Sequence, residues 1–180
     1  MMYLSFDDGP HPAWTPKILD LLGQHGAHAT FFQIGSEAAQ YPTIAARVRS
    51  GGNAVGNHTW DHRDLTALPA EGVAAQVTRT TAVIGATRCT RPPMGLTNPA
   101  VVAALGRQGQ RQQMWDIDTR DWQRPGAARI VDTVVGQARS GAVILMHDGG
   151  GDRSQTVDAL AQLLPRLTRA GWRLEAIPGC

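Results

Sequence analysis

The chain has 180 residues, 42% hydrophobic and 18% charged, with a formal net charge of +2. That length and balance fit one globular domain burying about two-thirds of its unfolded surface. The 17 basic residues are scattered rather than gathered into a stripe with exposed aromatics, so nothing points to nucleic acid, and no apolar run reaches the ~20 residues of a membrane span.

Short β-type runs alternate with longer segments of helical period along the whole chain. The first strand is expected at Met2–Phe6, with no signal-peptide pattern ahead of it, as in a mature or trimmed catalytic domain. Thr15 then reads as an N-cap, Pro16 as the first helical residue, and Gly26 as the stop, with Ile18, Leu19 and Leu22 on one face. Strand Ala29–Gln33 leads to a helix from Pro42 to Val48, and strand Asn53–Gly56 to a helix from Pro69 through Ile84. Strand Arg88–Thr90 is followed by a helix over Asn98–Leu105, strand Gln113–Ile117 by a helix over Ala127–Arg139, and strand Ala142–Met146 by a helix over Thr156–Arg169. A last strand is expected at Arg173–Ile177. Strand and helix in regular alternation predict a parallel sheet with helices outside it, either an open doubly wound sheet or a (β/α) barrel one unit short of eight. No internal repeat, low-complexity segment or linker interrupts residues 1–180, which read as a single catalytic domain. The two cysteines, Cys89 and Cys180, are too few for a disulfide scaffold; two separate thiols and one bridge both stay open.

The unusual polar residues all follow strands. Asp7-Asp8 follow the first, His58 and His62 the third, Arg91-Pro92-Pro93 the fourth, Asp118 and Asp121-Trp122 the fifth, and His147-Asp148 the sixth. Alone, each has an ordinary explanation: a solvated turn, surface histidines, a loop cation, a flexible Gly149-Gly150-Gly151 connection. In a parallel α/β architecture, however, the loops after the strands open on one face, where ligands bind, so residues a hundred positions apart converge.

Their chemistry is coherent. Asp8, His58 and His62 form a 2-His-1-carboxylate set that leaves coordination positions for water and substrate. A divalent ion held there, most simply Zn²⁺, polarises a carbonyl and activates water. Asp7 is then free to act as general base and His147 as general acid, with Arg91 beside the base and Asp121 orienting the acid. The reaction class is metal-assisted hydrolysis of an acyl group.

Ser5-Phe6-Asp7-Asp8-Gly9-Pro10, His58-Thr59-Trp60-Asp61-His62, Arg91-Pro92-Pro93-Met94-Gly95, Asp118-Thr119-Arg120-Asp121-Trp122 and Ile144-Leu145-Met146-His147-Asp148 resemble, in order, the five motifs of NodB-type polysaccharide deacetylases, carbohydrate esterase family four. The resemblance implies a distorted (β/α) barrel of about seven parallel strands and a divalent metal, zinc or sometimes cobalt. It implies a monomeric, secreted or cell-wall-associated enzyme acting on an acetylated polysaccharide or oligosaccharide. On the family pattern Asp7 is the base, Asp8, His58 and His62 the metal ligands, His147 the acid, and Arg91 and Asp121 their partners. Trp122 and Leu145 form the pocket for the acetyl methyl, and Met94 and Pro92 border the substrate. Two departures stand out: Ser5 replaces the usual Thr. Met94 replaces the usual Tyr, which keeps the backbone N–H of the oxyanion hole and removes a ring from the sugar groove.

The expected activity is deacetylation of N-acetylglucosamine units in chitin oligomers or peptidoglycan. O-deacetylation of acetylated xylan is the alternative, since both need the same ligands and the same oxyanion donor. A non-catalytic glycan-binding scaffold would have lost an acid, base or ligand, and none is lost. A non-haem iron(II) oxygenase shares the ligand set but has no use for an adjacent base and a distant acid. Of the tryptophans outside the motif ends, Trp60 is the one expected at the cleft rim, and Trp115 is assigned to the core.

Overall fold

In a computed structural model describing all 180 residues, the alternating patterns become seven parallel strands in one curled sheet. These are β1 (Tyr3–Asp7), β2 (Ala29–Gln33), β3 (Ala54–Asn57), β4 (Cys89–Thr90), β5 (Arg111–Gln112), β6 (Ile117–Asp118) and β7 (Val143–His147). Their order across the sheet is β5-β4-β3-β2-β1-β7-β6, an incomplete (β/α) barrel with its seam between β5 and β6. The helices are α1 (Thr15–Gln24), α2 (Gly35–Gln40), α3 (Pro42–Ser50), α4 (Ala70–Ile84), α5 (Pro99–Arg107), α6 (Ala127–Gln137) and α7 (Ser154–Arg169).

Strand alternation divides the interior in two. Leu4, Phe6, Phe31, Val55, Ile144 and Met146 face outward and form the main core with Ile18, Leu22, Val131, Leu160 and Leu164 of the surrounding helices. Phe32, Cys89, Val143 and Ile177, with Tyr3 and Trp115 against them, fill the barrel itself. The inward series on β1 is therefore Tyr3, Ser5, Asp7, and the one on β7 is Val143, Leu145, His147. In-register pairing sets Ser5 beside Leu145 and Asp7 beside His147.

Three expectations are corrected. The strand expected at Gln113–Ile117 is instead largely the connection between two shorter strands, β5 before it and β6 starting at Ile117, which lie at opposite edges of the sheet, so the chain crosses the seam there. The strand expected at Arg173–Ile177 makes only a bridge between Leu174 and Met2. β1 already has β2 and β7 on its two sides, so no strand edge is open to it. The segment instead caps the barrel's lower end through Met2 N–H to Arg173 O at 2.9 Å and Ile177 N–H to the Thr30 hydroxyl at 2.9 Å. Thr15 is not an N-cap: Trp14 takes that place without a side-chain bond, while the Thr15 hydroxyl donates to the buried Asp148 carboxylate at 2.6 Å. The short helix α2, lacking any periodic stripe, had no sequence signal.

Cys89 on β4 and Cys180 at the end of the capping segment are joined in a disulfide, closing a loop with a sequence separation of 91. Loop-closure entropy for a span of this length gives about 4–5 kcal/mol of stabilisation as an upper value. Cys180→Ser should lower the unfolding free energy from denaturant titration by up to that amount, and reductant should shift the parent protein equally. Coincident unfolding curves for parent and variant would show that the cap adds nothing to the barrel.

Candidate active site

The cleft lies at the carboxyl ends of the strands and has a volume of about 410 Å³. Asp7, Asp8, His58, His62, Met94, Trp122, Leu145 and His147 all line it, so eight of the sequence-selected residues are brought together. Arg91 and Asp121 lie behind the wall, each bonded to a residue that lines it. Pro92 is buried away from the cleft, because the Pro92-Pro93 step aims the chain so that Met94 reaches the rim instead.

Asp8 Oδ1 sits 3.3 Å from His58 Nε2 and 3.3 Å from His62 Nε2. It is buried without a hydrogen-bond donor among the protein groups that fix the cleft. The three donor atoms lie within 4.8 Å of one another. His58 Nδ1 faces the Arg91 carbonyl at 2.7 Å; a carbonyl only accepts, so Nδ1 carries the proton and Nε2 presents its lone pair. An orphaned buried carboxylate oxygen meeting two imidazole nitrogens at this spacing suits one small divalent cation with bonds of ~2.1 Å.

The other carboxylate has a different setting. Asp7 Oδ1 accepts from Arg91 Nη1 at 2.7 Å, and Oδ2 points toward His58 Nε2 at 3.8 Å. Arg91 is fully buried. It also donates to the Ser5 hydroxyl at 2.9 Å, to Gln113 O at 3.1 Å and to Met114 O at 3.3 Å. Across the cleft, the His147 ring faces Asp121 Oδ1 at 2.7 Å through Nδ1, while Asp121 Oδ2 accepts from His147 N–H and from the Thr156 hydroxyl. His147 Nε2 is thereby aimed at the cleft.

Burial alone lowers the pKa of His147, but the hydrogen bond and charge of Asp121 outweigh it and raise the imidazole to about 8. Burial likewise raises Asp121, yet its bonds to His147 and Thr156 hold it below the usual carboxylate range. For Asp8, burial is again overcome, here by His58 foremost, and the acid lies well below its ordinary value. His58 is raised despite burial by the charges of Asp7 and Asp8, whereas His62 is lowered by burial and by His58. A proton and a metal compete for the same His58 nitrogen.

Several contributors carried no sequence signal. Trp115 reaches the cleft rather than remaining wholly in the core, and Trp60 stacks under Arg79 at 3.6 Å instead of forming the rim. Gly150 and Arg153 also line the cleft. The Gly149–Gly151 run, readable as a flexible connection, packs on the Asp8 turn: a Cβ at Gly149 would lie 2.1 Å from Asp8 O, and one at Gly150 2.5 Å from Asp8 Oδ2.

Residues 1–112 match the family model for polysaccharide deacetylase. The chain belongs to the NodB-type polysaccharide deacetylases. Within this family it is 35% identical to a chitooligosaccharide deacetylase of Azorhizobium caulinodans, aligned over 98% of this chain and 92% of that protein. It is 39% identical to a peptidoglycan-N-acetylglucosamine deacetylase of Bacillus cereus, over 97% of this chain and 84% of the relative. The structure of the peptidoglycan deacetylase PdaC from Bacillus subtilis superposes with a TM-score of 0.91 at 35% identity, covering 98% of this chain and 87% of that one. The polysaccharide deacetylase fold of such relatives matches the seven-stranded barrel described above.

Gly150 has a φ of +71° and no room for a side chain. Gly150→Ala should displace the Asp8 carboxylate and weaken divalent-ion affinity by roughly 10–100-fold, the range for groups that orient ligands. Calorimetric titration of metal-stripped protein would measure it. Equal affinity in the variant would separate Asp8 from cation binding.

Proposed function

We propose that the protein is a metal-dependent deacetylase that removes acetyl groups from N-acetylglucosamine units of a glycan, of the chitin-oligomer or peptidoglycan kind. The observation that carries this reading is the pairing, on one cleft, of an orphaned Asp8–His58–His62 donor set with a separately anchored Asp7 and His147. Relatives named for chitooligosaccharides and for peptidoglycan support the N-acetyl substrate over acetylated xylan. The disulfide supports action outside the reducing cytoplasm, at the cell wall or beyond it.

In the proposed roles, Asp8, His58 and His62 hold the cation. When bound, a zinc or cobalt ion supplies Lewis acidity to the acetamide carbonyl and acidity to water. Asp7, oriented by Arg91, takes the proton of the attacking water as its oxygen bonds to the carbonyl carbon. The Met94 N–H donates to the oxyanion that develops. Met94 lines the cleft with a left-handed φ of 58° and a side chain 59% exposed, a strained backbone of the kind held at functional sites. His147 Nε2–H then protonates the departing nitrogen as the carbon–nitrogen bond breaks, giving acetate and a free amine. Leu145, 4% exposed, and Trp122, 51% exposed, form the apolar wall for the acetyl methyl.

Asp7→Ala should retain bound metal and lose acetate release from chitin oligomers by ~10³-fold or more, whereas His58→Ala should lose both. Acetate and metal content measured on the same samples decide this; turnover unimpaired in either variant removes the assigned roles. An acid must be protonated to act, so with His147 raised to about 8 the rate should hold below that pH and fall as pH rises through it. Asp121→Asn removes the charge that raises the imidazole, and the alkaline limb should move down toward the ordinary 6.5. A limb that stays in place in the pH–rate profile would assign the acid to another group.

A further inference from the structure

Arg153, immediately before α7, is 5% exposed and lines the cleft with Asp8, Asp118, His147 and Gly150. A guanidinium offers five N–H donors, yet its side chain makes one hydrogen bond, from Nε to Gly149 O at 2.7 Å. Neither terminal nitrogen has an acceptor or a carboxylate partner within the protein. The neighbouring acid is committed elsewhere: Asp152 accepts from Ser154 N–H at 2.9 Å and pairs with Arg124 at 2.9 Å. Asp118 is turned toward its own loop, accepting from Arg120 N–H at 2.9 Å. The Arg153 Nε bond to Gly149 O orients the group. A planar, immobilised cation in a cleft wall with its donor edge unmatched is a receptor for an oxyanion, ideally a carboxylate held by two parallel N–H bonds. Sequence gave no hint of it, since a single arginine after a glycine run carries no motif.

We propose that the Arg153 guanidinium forms an oxyanion subsite beside the reacting acetamide, so that the preferred substrate is an N-acetylated glycan bearing a carboxylate next to the reacting sugar, as the lactyl ethers of a peptidoglycan strand do once its stem peptides are removed, rather than an uncharged chitin oligomer. This rests on the deacetylase reading above and narrows its substrate. A carboxylate can take two parallel bonds from the guanidinium and neutralise its charge, whereas a hydroxyl of an uncharged sugar accepts one and brings no countercharge.

The test compares acetate release from three glycans of similar length: peptidoglycan strands stripped of stem peptides, the same strands with lactyl carboxylates reduced to alcohols, and chitin oligomers. The parent enzyme should lose about tenfold or more in kcat/KM when the carboxylate is reduced, chiefly through KM. In Arg153→Gln the ratio between carboxylate-bearing and reduced strands should collapse toward one, and Arg153→Lys should restore part of it. Equal rates of the parent enzyme on both strands would overturn the subsite without reference to any variant. An equal loss on both substrates in Arg153→Gln would also overturn it, leaving Arg153 only as a support for the Gly149 loop. No acetate from any of the three glycans would instead overturn the deacetylase reading itself, and the subsite with it.

Discussion

The buried contact between the Arg91 guanidinium and Asp7 is the constraint on which the cleft depends. Arg91 lies inside the barrel, stacked over Phe32 at 4.0 Å and near Trp115 at 5.6 Å. Its nitrogens bind β1 through Ser5 and Asp7 and bind the seam through the carbonyls of Gln113 and Met114. No strand pairing spans the gap between β5 and β6, so the side chain of one residue supplies the link that a ladder would supply in a closed barrel. Its backbone carbonyl meanwhile fixes the His58 ring. Burial lowers the Arg91 pKa and Asp7 opposes that shift; removing either partner strands a charge in the interior, a change that typically costs ~3–5 kcal/mol. The orientation of Asp7, the orientation of His58 and barrel closure are therefore coupled through a single residue, Arg91.

Two adjacent aspartates serve different partners because the backbone changes hand between them. Asp7 ends a strand and points inward beside His147. In a continuing strand Asp8 would point to the opposite face. Its φ of 74° instead turns the next carboxylate back over the cleft, where His58 and His62 meet it. The two side chains then experience opposite surroundings, one against a buried cation and the other against two imidazoles, and this difference is what supports assigning the proposed base and the proposed ligand to neighbours in sequence.

Much of this was legible beforehand, and the failures have identifiable causes. Strands with strongly apolar runs, such as Phe31–Phe32 in β2 and Val143–Met146 in β7, and helices bounded by Pro and Gly appeared where patterning put them. The residues after each strand could be assigned to one face because parallel topology leaves no other place for them. Arg173–Ile177 misled because β-type composition reports fit to a half-buried surface rather than an available partner strand. Gln113–Ile117 misled because a run with β-type composition carries the chain across the seam of an unclosed sheet, from β5 to β6, and forms no strand with either edge until Ile117. Thr15 misled because a buried acid from the other end of the chain, Asp148, claimed its hydroxyl. Arg153 and Gly150 were invisible because their roles follow from close approach, which no local spacing encodes.

The cleft's geometry is set before any ligand enters. Asp8, Thr59, His62 and Met94 all hold left-handed φ values of 58–74° without being glycine, at a cost of order 1–3 kcal/mol each. Each is held by a specific neighbour. Thr59 N–H donates to Asn57 Oδ1 at 2.8 Å and His62 N–H to the Thr59 hydroxyl at 3.1 Å, so the two histidines sit on a turn braced by side chains. Met94 is clamped between Gly95 N–H to Pro92 O and Leu96 N–H to Pro93 O. Asp8 is wedged against Gly149 and Gly150, whose loop is tied down by Asp148 N–H to Asp7 O at 3.0 Å and by the Thr15–Asp148 bond. Burial raises the Asp148 acid to about 7, so near neutrality this anchor sits at the balance between its neutral and charged forms. Strain at the turns is thus offset by anchors in the surrounding shell, which hold Asp7, Asp8, His58, His62 and Met94 in a preformed arrangement around the cleft.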